Sequence, residues 1–290
     1  MSTNLGRDKI FWTPEVWGEI DKAVKEEWKQ RVAQTVIKTA LMAGAADIAV
    51  ERVDLATDLI PEGQRLPFVE ISREFTLTDS QANNEATLRN GLKFARIAAR
   101  LVAMAEDAVI FQGKSGFDAL IQRVQARQKS QRPLLRATNL DSVQNGLLGF
   151  ALTDVPVKPV EAGAYRENTV TAVLNGIAIL RQVGHPGPYG LFLSPRTYAD
   201  AFSPISDTLQ TPADRLLPIL KGGLQMANEL PDNRGLLISL GGEPVTIYLA
   251  QDIAVAFNQV DTEGNYCFRA FERVQVVVRE VDALVRVEFL

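Results

Sequence analysis

The sequence predicts a mixed fold of helices and sheet, and three observations carry that prediction. An apolar-striped helix reads from Asp79 to Gly113, a two-stranded ribbon precedes it between Asp47 and Thr78, and strand-like runs crowd the chain from Val245 onward. The helix is the spine of the reading. Leu88, Leu92, Ala95, Ala99, Val102, Ala105 and Val109 recur at three- and four-residue steps, Asp79 or Ser80 is placed to cap its start, and Gly113 to end it. Small residues between Phe94 and Ala105 let a neighbouring element approach its backbone closely.

Taken in order, the chain first offers a helix opened by Thr13 as N-cap and Pro14 at the first helical position. Val16 or Trp17, Ile20, Val24, Trp28 and Val32 form its apolar stripe, which can pack on its own domain or also receive a partner. The ribbon that follows turns at Pro61, Glu62 and Gly63, and its apolar positions are too few for a core of its own, so it has to lie on something else. Beyond the spine, Ile121 to Arg136 carries Arg123, Arg127, Lys129, Arg132 and Arg136 without an acid. Such a run is either a phosphate-binding patch or a solvated face, and the lack of aromatic stacking residues favours the face. A second amphipathic helix at Thr169 to Val183, a buried-type strand in YGLFLSP and a helix at Arg196 to Phe202 precede a loop from Phe202 to Arg215. Leu236 to Leu240 and the runs VTIYLA, IAVAFNQ, YCFRAFERVQVVVREV and ALVRVEFL read as strands, the last series forming an antiparallel sheet.

Composition narrows the function classes. With 290 residues, 46% of them hydrophobic, the chain can bury a sizeable core, and a net charge of -4 gives no general attraction to nucleic acid or anionic membrane. One cysteine, Cys267, excludes an internal disulfide, and one histidine, His185, excludes a His-rich metal cluster within the chain. The N-terminus lacks the pattern of a secretory signal and no apolar run approaches the length of a membrane span, so cytoplasmic residence is expected.

A search for catalytic chemistry returns no site. No P-loop or GxGxxG follows a strand, and Gly222 with Gly223 and Gly241 with Gly242 read as turns. His185 lies in a turn between Gly184 and Pro186 with no GxSxG elbow elsewhere, and Cys267 sits in an apolar strand as a buried, inert thiol. The acid pairs Glu26 with Glu27 and Glu106 with Asp107 diverge on their helices and read as solvated or salt-bridged. No enzyme, cofactor or metal is expected.

The order and spacing of WGEID, LPFVEISREFTL, AEDAVIFQGKSGFDAL, GHPGPYGLFLSPRTY, AQDIAVAF and REVDALVRVEFL resemble the encapsulins, nanocompartment shell proteins that share the fold of tailed-phage major capsid proteins. The resemblance implies an α+β, tailed-phage capsid-type (HK97-like) subunit: an N-terminal helical arm at 1–44, an extended loop at 45–78, a peripheral domain from 79–122 and 245–290, an insertion-like segment at 123–150, and an axial domain at 151–244. It implies a self-assembling icosahedral homo-oligomer that encloses a cargo enzyme carrying a short targeting peptide and passes small molecules through pores. The groove for that peptide is implied at Trp17, Ile20, Val24, Trp28 and Val32. The pore loop is implied at Ser203, Pro204, Ile205, Ser206, Asp207, Thr208 and Gln210, and the loop reaching a neighbouring subunit at Pro61, Glu62, Gly63 and Arg65. Two departures stand out. Thr35 and Thr39 occupy positions where many members have Arg and Asp, so polar anchoring of cargo is expected to differ, and Gln122 to Phe150 reads as an insertion. The alternative is a phage or prophage major capsid protein packaging DNA, against which the chain starts directly at the helix without a charged helical scaffolding segment.

Overall fold

The computed structural model describes residues 5–29, 31–50, 64–127, 135–143, 145–205 and 208–290. Helix α1 spans Pro14–Trp28, with Thr13 in extended conformation before it and Pro14 at the first turn, as the sequence predicts. Strand β1 (Thr39–Leu41) follows, and then β2 (Asp47–Val50) pairs antiparallel with β3 (Gln64–Pro67), the base of the expected ribbon. The predicted turn at Pro61, Glu62 and Gly63 lies outside the described residues. The second arm does not end the ribbon. Strand β4 (Val69–Leu77) alternates buried and less buried residues and enters a large sheet instead.

The predicted spine helix is real but interrupted. Thr78, rather than Asp79 or Ser80, is the cap, its side chain and that of Gln81 closing a capping box at the start of α2 (Asp79–Asn83). After α3 (Glu85–Leu88), Arg89 adopts a left-handed conformation and redirects the chain into α4 (Asn90–Arg127). Gly113 ends the first of two helical stretches within α4, as the sequence predicts: its φ of 64 and ψ of -143 are non-helical, and a second helix starts beyond it.

The segment read as an insertion is built into the core. Strand β5 (Leu135–Thr138) pairs with β4 at the sheet edge, and α5 (Gly146–Phe150) brings the fully buried Leu147 against α4. Gly146 lies so close to the break in α4 that a Cβ there would stand 2.4 Å from the Gly113 nitrogen. Strand β6 (Thr153–Val157) leads to α6 (Arg166–Gln182), β7 (Tyr189–Leu193), α7 (Pro195–Ala201), α8 (Pro212–Leu216), β8 (Gly223–Met226) and β9 (Arg234–Ser239). The two runs read as VTIYLA and IAVAFNQ are one long bulged strand, β10 (Val245–Val260), hairpinned to β11 (Tyr266–Val278).

Two sheets result. The larger has the order β1-β10-β11-β4-β5 and packs against α1 and α4, and the smaller collects β6, β9, β7 and β8 under α6. The C-terminal strands do not form one antiparallel sheet. Strand β12 (Leu284–Phe289) leaves the hairpin and inserts into the smaller sheet, parallel to β6 and antiparallel to β9. Its residues Leu284, Val285, Val287 and Phe289 are buried, and burial in that second core is what draws it across.

Candidate functional site

The apolar stripe of α1 faces inward. Trp17, Ile20 and Val24 are buried, Trp17 lies beside Trp12 and Phe268, and the Arg7 guanidinium rests 4.4 Å over its ring. Trp28 and Val32 are partly buried against the same core. The outer face of α1 presents Gly18, Glu19, Lys22, Lys25 and Glu26. The stripe therefore covers the large sheet, because β11 and α4 supply an apolar surface of matching size on the same chain.

Beneath α1 lies a cluster of buried charge. Glu106 and Glu272 are fully buried, the Arg31 guanidinium is 3.0 Å from Glu106, and Trp28 donates to Glu272 at 2.7 Å. Burial and the neighbouring Glu106 push the Glu272 carboxyl well above the usual range, and burial also raises Glu106. Asp107 accepts from the backbone nitrogens of Val32 at 2.9 Å and Ala33 at 3.0 Å, yet burial and Glu106 raise its pKa to about 7. Glu27 is held by Arg96 at 2.8 Å and Arg100 at 3.0 Å. Burial pushes the Glu27 carboxyl up, but the two arginines outweigh it and hold it low. Of the acids read as solvated or salt-bridged, Glu27 and Glu106 are salt-bridged, whereas Asp107 is buried and accepts from backbone nitrogens instead. These groups tie the N-terminal arm to α4 and β11. The signal in the sequence was an acid pair embedded in the apolar stretch Val102 to Phe111, where solvated acids are out of place.

An open apolar groove runs along α4 instead. Ile97, Leu101, Met104, Leu120 and Val124 line a cavity of about 310 Å³ across the Gly113 break, edged by Arg100 and Arg123. Arg100 and Met104 continue it into a second cavity of about 230 Å³ that reaches Val32, Asp107 and Glu229. Of the five stripe residues, Val32 lines this groove, and Trp17 lines a separate cleft with Arg7, Trp12 and Asp21.

The loop after α7 is closed by its own backbone: Ile205 donates to the Gln210 carbonyl at 2.9 Å and Thr208 to the Ile205 carbonyl at 3.1 Å. Ser203 and Pro204 lead into it, while Ser206 and Asp207 lie outside the described residues. Leu209 at its tip is 96% exposed, and Phe202 is 44% exposed at its base. Where the sequence reads a loop through Arg215, Thr211 and Asp214 form a capping box and start α8. Arg65 of the ribbon is exposed, 3.7 Å from Asp47. The ribbon base is not coreless, since Ile48, Val50, Leu66 and Phe68 pack on Ala250 and Val277.

The residues screened for chemistry are dispersed. Cys267 is half-buried rather than buried, and burial with nearby Asp261 and Glu74 pushes its thiol up. Within the basic run, Arg123 pairs with Glu229 and Arg136 lies 3.5 Å from Glu74. Among the described residues, no helix is long and apolar enough to cross a membrane.

A long broken spine helix laid on a β10–β11 hairpin sheet, with a second, smaller α and β unit beside it, is the tailed-phage capsid-type (HK97-like) fold. The structure superposes on a virus-like particle from Pyrococcus furiosus with a TM-score of 0.69 at 12% identity, covering 94% of this chain and 100% of that one. It also matches the capsid of Myoviridae phage XM1, TM-score 0.56 at 13% identity, over 89% of this chain and 90% of that one. Within this class the sequence is similar to encapsulin shell proteins. Residues 143–275 match the family described as encapsulating protein for peroxidase. The chain is 22% identical to the type 1 encapsulin shell protein EncA of Myxococcus xanthus, over 95% of this chain and 97% of that protein.

Proposed function

We propose that this chain is the self-assembling subunit of an icosahedral encapsulin-type shell that encloses a cargo protein in the cytoplasm. The observation that carries the reading is the end-to-end similarity to a shell protein, 95% of this chain against 97% of EncA, on a capsid-type fold. The exposed Leu41, Leu152 and Leu209 support it, since large apolar side chains left in water on a single subunit are what closed interfaces cover. In this reading the large sheet with α4 forms the peripheral domain. The smaller sheet with α6 forms the axial domain, its 203–210 loop meets its copies around a pore, and the ribbon through Pro61 and Arg65 reaches the next subunit.

The shell breaks no bond; it sequesters. A targeting peptide on the cargo would dock in the groove of Ile97, Leu101, Met104, Leu120 and Val124, with Val32 at its far end. Ile97 is 50% exposed there, so a peptide gains burial of apolar surface worth about 25 cal/mol per Å². Arg100 and Arg123 at the edges are already paired with Glu27 and Glu229, so the groove favours a peptide that docks by apolar side chains. The test is electron microscopy of the protein purified from its host, with mass spectrometry of what copurifies, for the wild type and Ile97→Asp. Closed shells in both, with one protein partner lost from the variant, support shell and groove. Shells that keep the partner overturn the groove, shells filled with DNA overturn the encapsulin reading in favour of a capsid, and persistent monomers overturn both.

A further inference from the structure

The single histidine of the chain is not idle in its turn. His185 follows α6, its backbone nitrogen donates to the Leu180 carbonyl at 2.8 Å, and its own carbonyl accepts from the Tyr189 hydroxyl at 2.8 Å. The backbone at His185 is thus fixed from both sides, and its side chain is only 7% exposed. Two carboxylates meet its two nitrogens. Nε2 lies 3.1 Å from Asp282 Oδ1, a hydrogen bond, whereas Nδ1 lies 3.8 Å from Glu280 Oε2, beyond hydrogen-bond reach. No hydrogen bond from Nδ1 is present among the described residues. A nine-tenths-buried imidazole thus points one nitrogen at a carboxylate across a gap too long for a proton to bridge well. One donor atom from each of the three residues lies within 4.8 Å of the others.

We propose that His185 Nδ1 and Glu280 hold a borderline first-row divalent cation of the zinc type, with Asp282 bonded to the far nitrogen of the imidazole as its orienting carboxylate. Metal–ligand distances of about 2.0–2.2 Å on each side fit a cation between Nδ1 and Glu280 Oε2. Asp282, accepting the Nε2–H, fixes the tautomer that leaves the Nδ1 lone pair free, the carboxylate–histidine–cation arrangement. Two acids beside one imidazole offset the charge of a divalent ion, and the nitrogen ligand selects against magnesium and calcium. Glu280 is half-exposed, its side chain 41% accessible, which leaves an approach for the ion and for waters completing its shell.

The location gives the site a purpose. Glu280 and Asp282 stand on the connection between β11 of the large sheet and β12 of the smaller one, and His185 on the turn between α6 and β7 of the smaller unit. A cation here clamps the crossover to the smaller unit and braces the junction of the two sheets.

The test uses the full chain, stripped with chelator and titrated with zinc chloride by calorimetry at neutral pH, with cobalt substitution read by its visible absorption. The expected result is saturation at one zinc per chain, a thermal midpoint raised by zinc, and binding at least tenfold weaker in Glu280→Gln and Asp282→Asn and lost in His185→Gln. Glu280→Gln alters a half-exposed residue and keeps the test decisive should His185→Gln fold poorly. Absence of saturable binding, or the same binding in Glu280→Gln as in the wild type, overturns the proposal. Neither outcome bears on whether the chain builds a shell.

Discussion

Asp107 makes native stability depend on pH in a direction opposite to that of an ordinary salt-bridged acid. Its carboxyl titrates near 3.8 when unfolded and about 7 when folded, raised by burial and Glu106 against the two backbone donors at Val32 and Ala33. A folded pKa above the unfolded one means its contribution is fully present below about pH 4 and is lost as pH rises through about 7. The interval is about three pH units, and at about 1.4 kcal/mol per unit it is worth about 4 kcal/mol. Asp107→Asn removes that titration but gives up one accepting oxygen, at a cost of about 1–3 kcal/mol. The two effects cross. The variant is expected to be less stable than the wild type at pH 4 and more stable at pH 8, the gap changing by about 4 kcal/mol. Urea unfolding followed by tryptophan fluorescence measures this directly, because Trp12, Trp17 and Trp28 all lie on or just before the arm that Asp107 secures. A gap that changes by less than about 1 kcal/mol between the two pH values refutes the assignment.

Three further outcomes are expected. Glu272→Gln, replacing a carboxyl pushed well above its ordinary range, shallows the loss of stability above pH 5 in the same unfolding series; a steeper loss contradicts the buried neutral carboxyl. Ile20→Ala, at 1% exposure on the inner face of α1, costs about 2–5 kcal/mol of unfolding free energy in urea, and a cost below about 1 kcal/mol would mean the stripe faces a partner rather than the core. Gly146→Ala forces a Cβ to 2.4 Å from the Gly113 nitrogen at a φ of 54, and is expected to cost about 2 kcal/mol or more; a neutral result would show that α5 does not need its close approach to α4.

Much of the architecture was legible because periodicity and caps are local. The start of α1 followed from Thr13 and Pro14, and α4 from its small apolar stripe, since both signals act within a few residues. The failures were tertiary. Gly113 stops one helix as the local rules say, but nothing local announces the second helix that starts beyond the break, where Gly146 on α5 fits against it. ALVRVEFL reads as one more strand of a hairpin sheet, yet a second core pulls it away. For α1 the sequence left two uses open for the apolar stripe, packing on its own domain or receiving a partner, because periodicity reveals which face is apolar and not what covers it; Trp17, Ile20 and Val24 are buried within the chain. His185 looked solitary for a related reason. Its two carboxylates are nearly a hundred residues downstream, and only the crossing from β11 to β12 brings them to it.

That crossing also sets the order in which the molecule can be made. In the smaller sheet β12 is flanked by β6 and β9. Both neighbours emerge from the ribosome well before it, and they stay unjoined until residues 284–289 arrive. Until those residues are in place, the smaller sheet keeps a strand-wide gap between β6 and the β9-β7-β8 remainder, so its first and last strands to be made depend on each other.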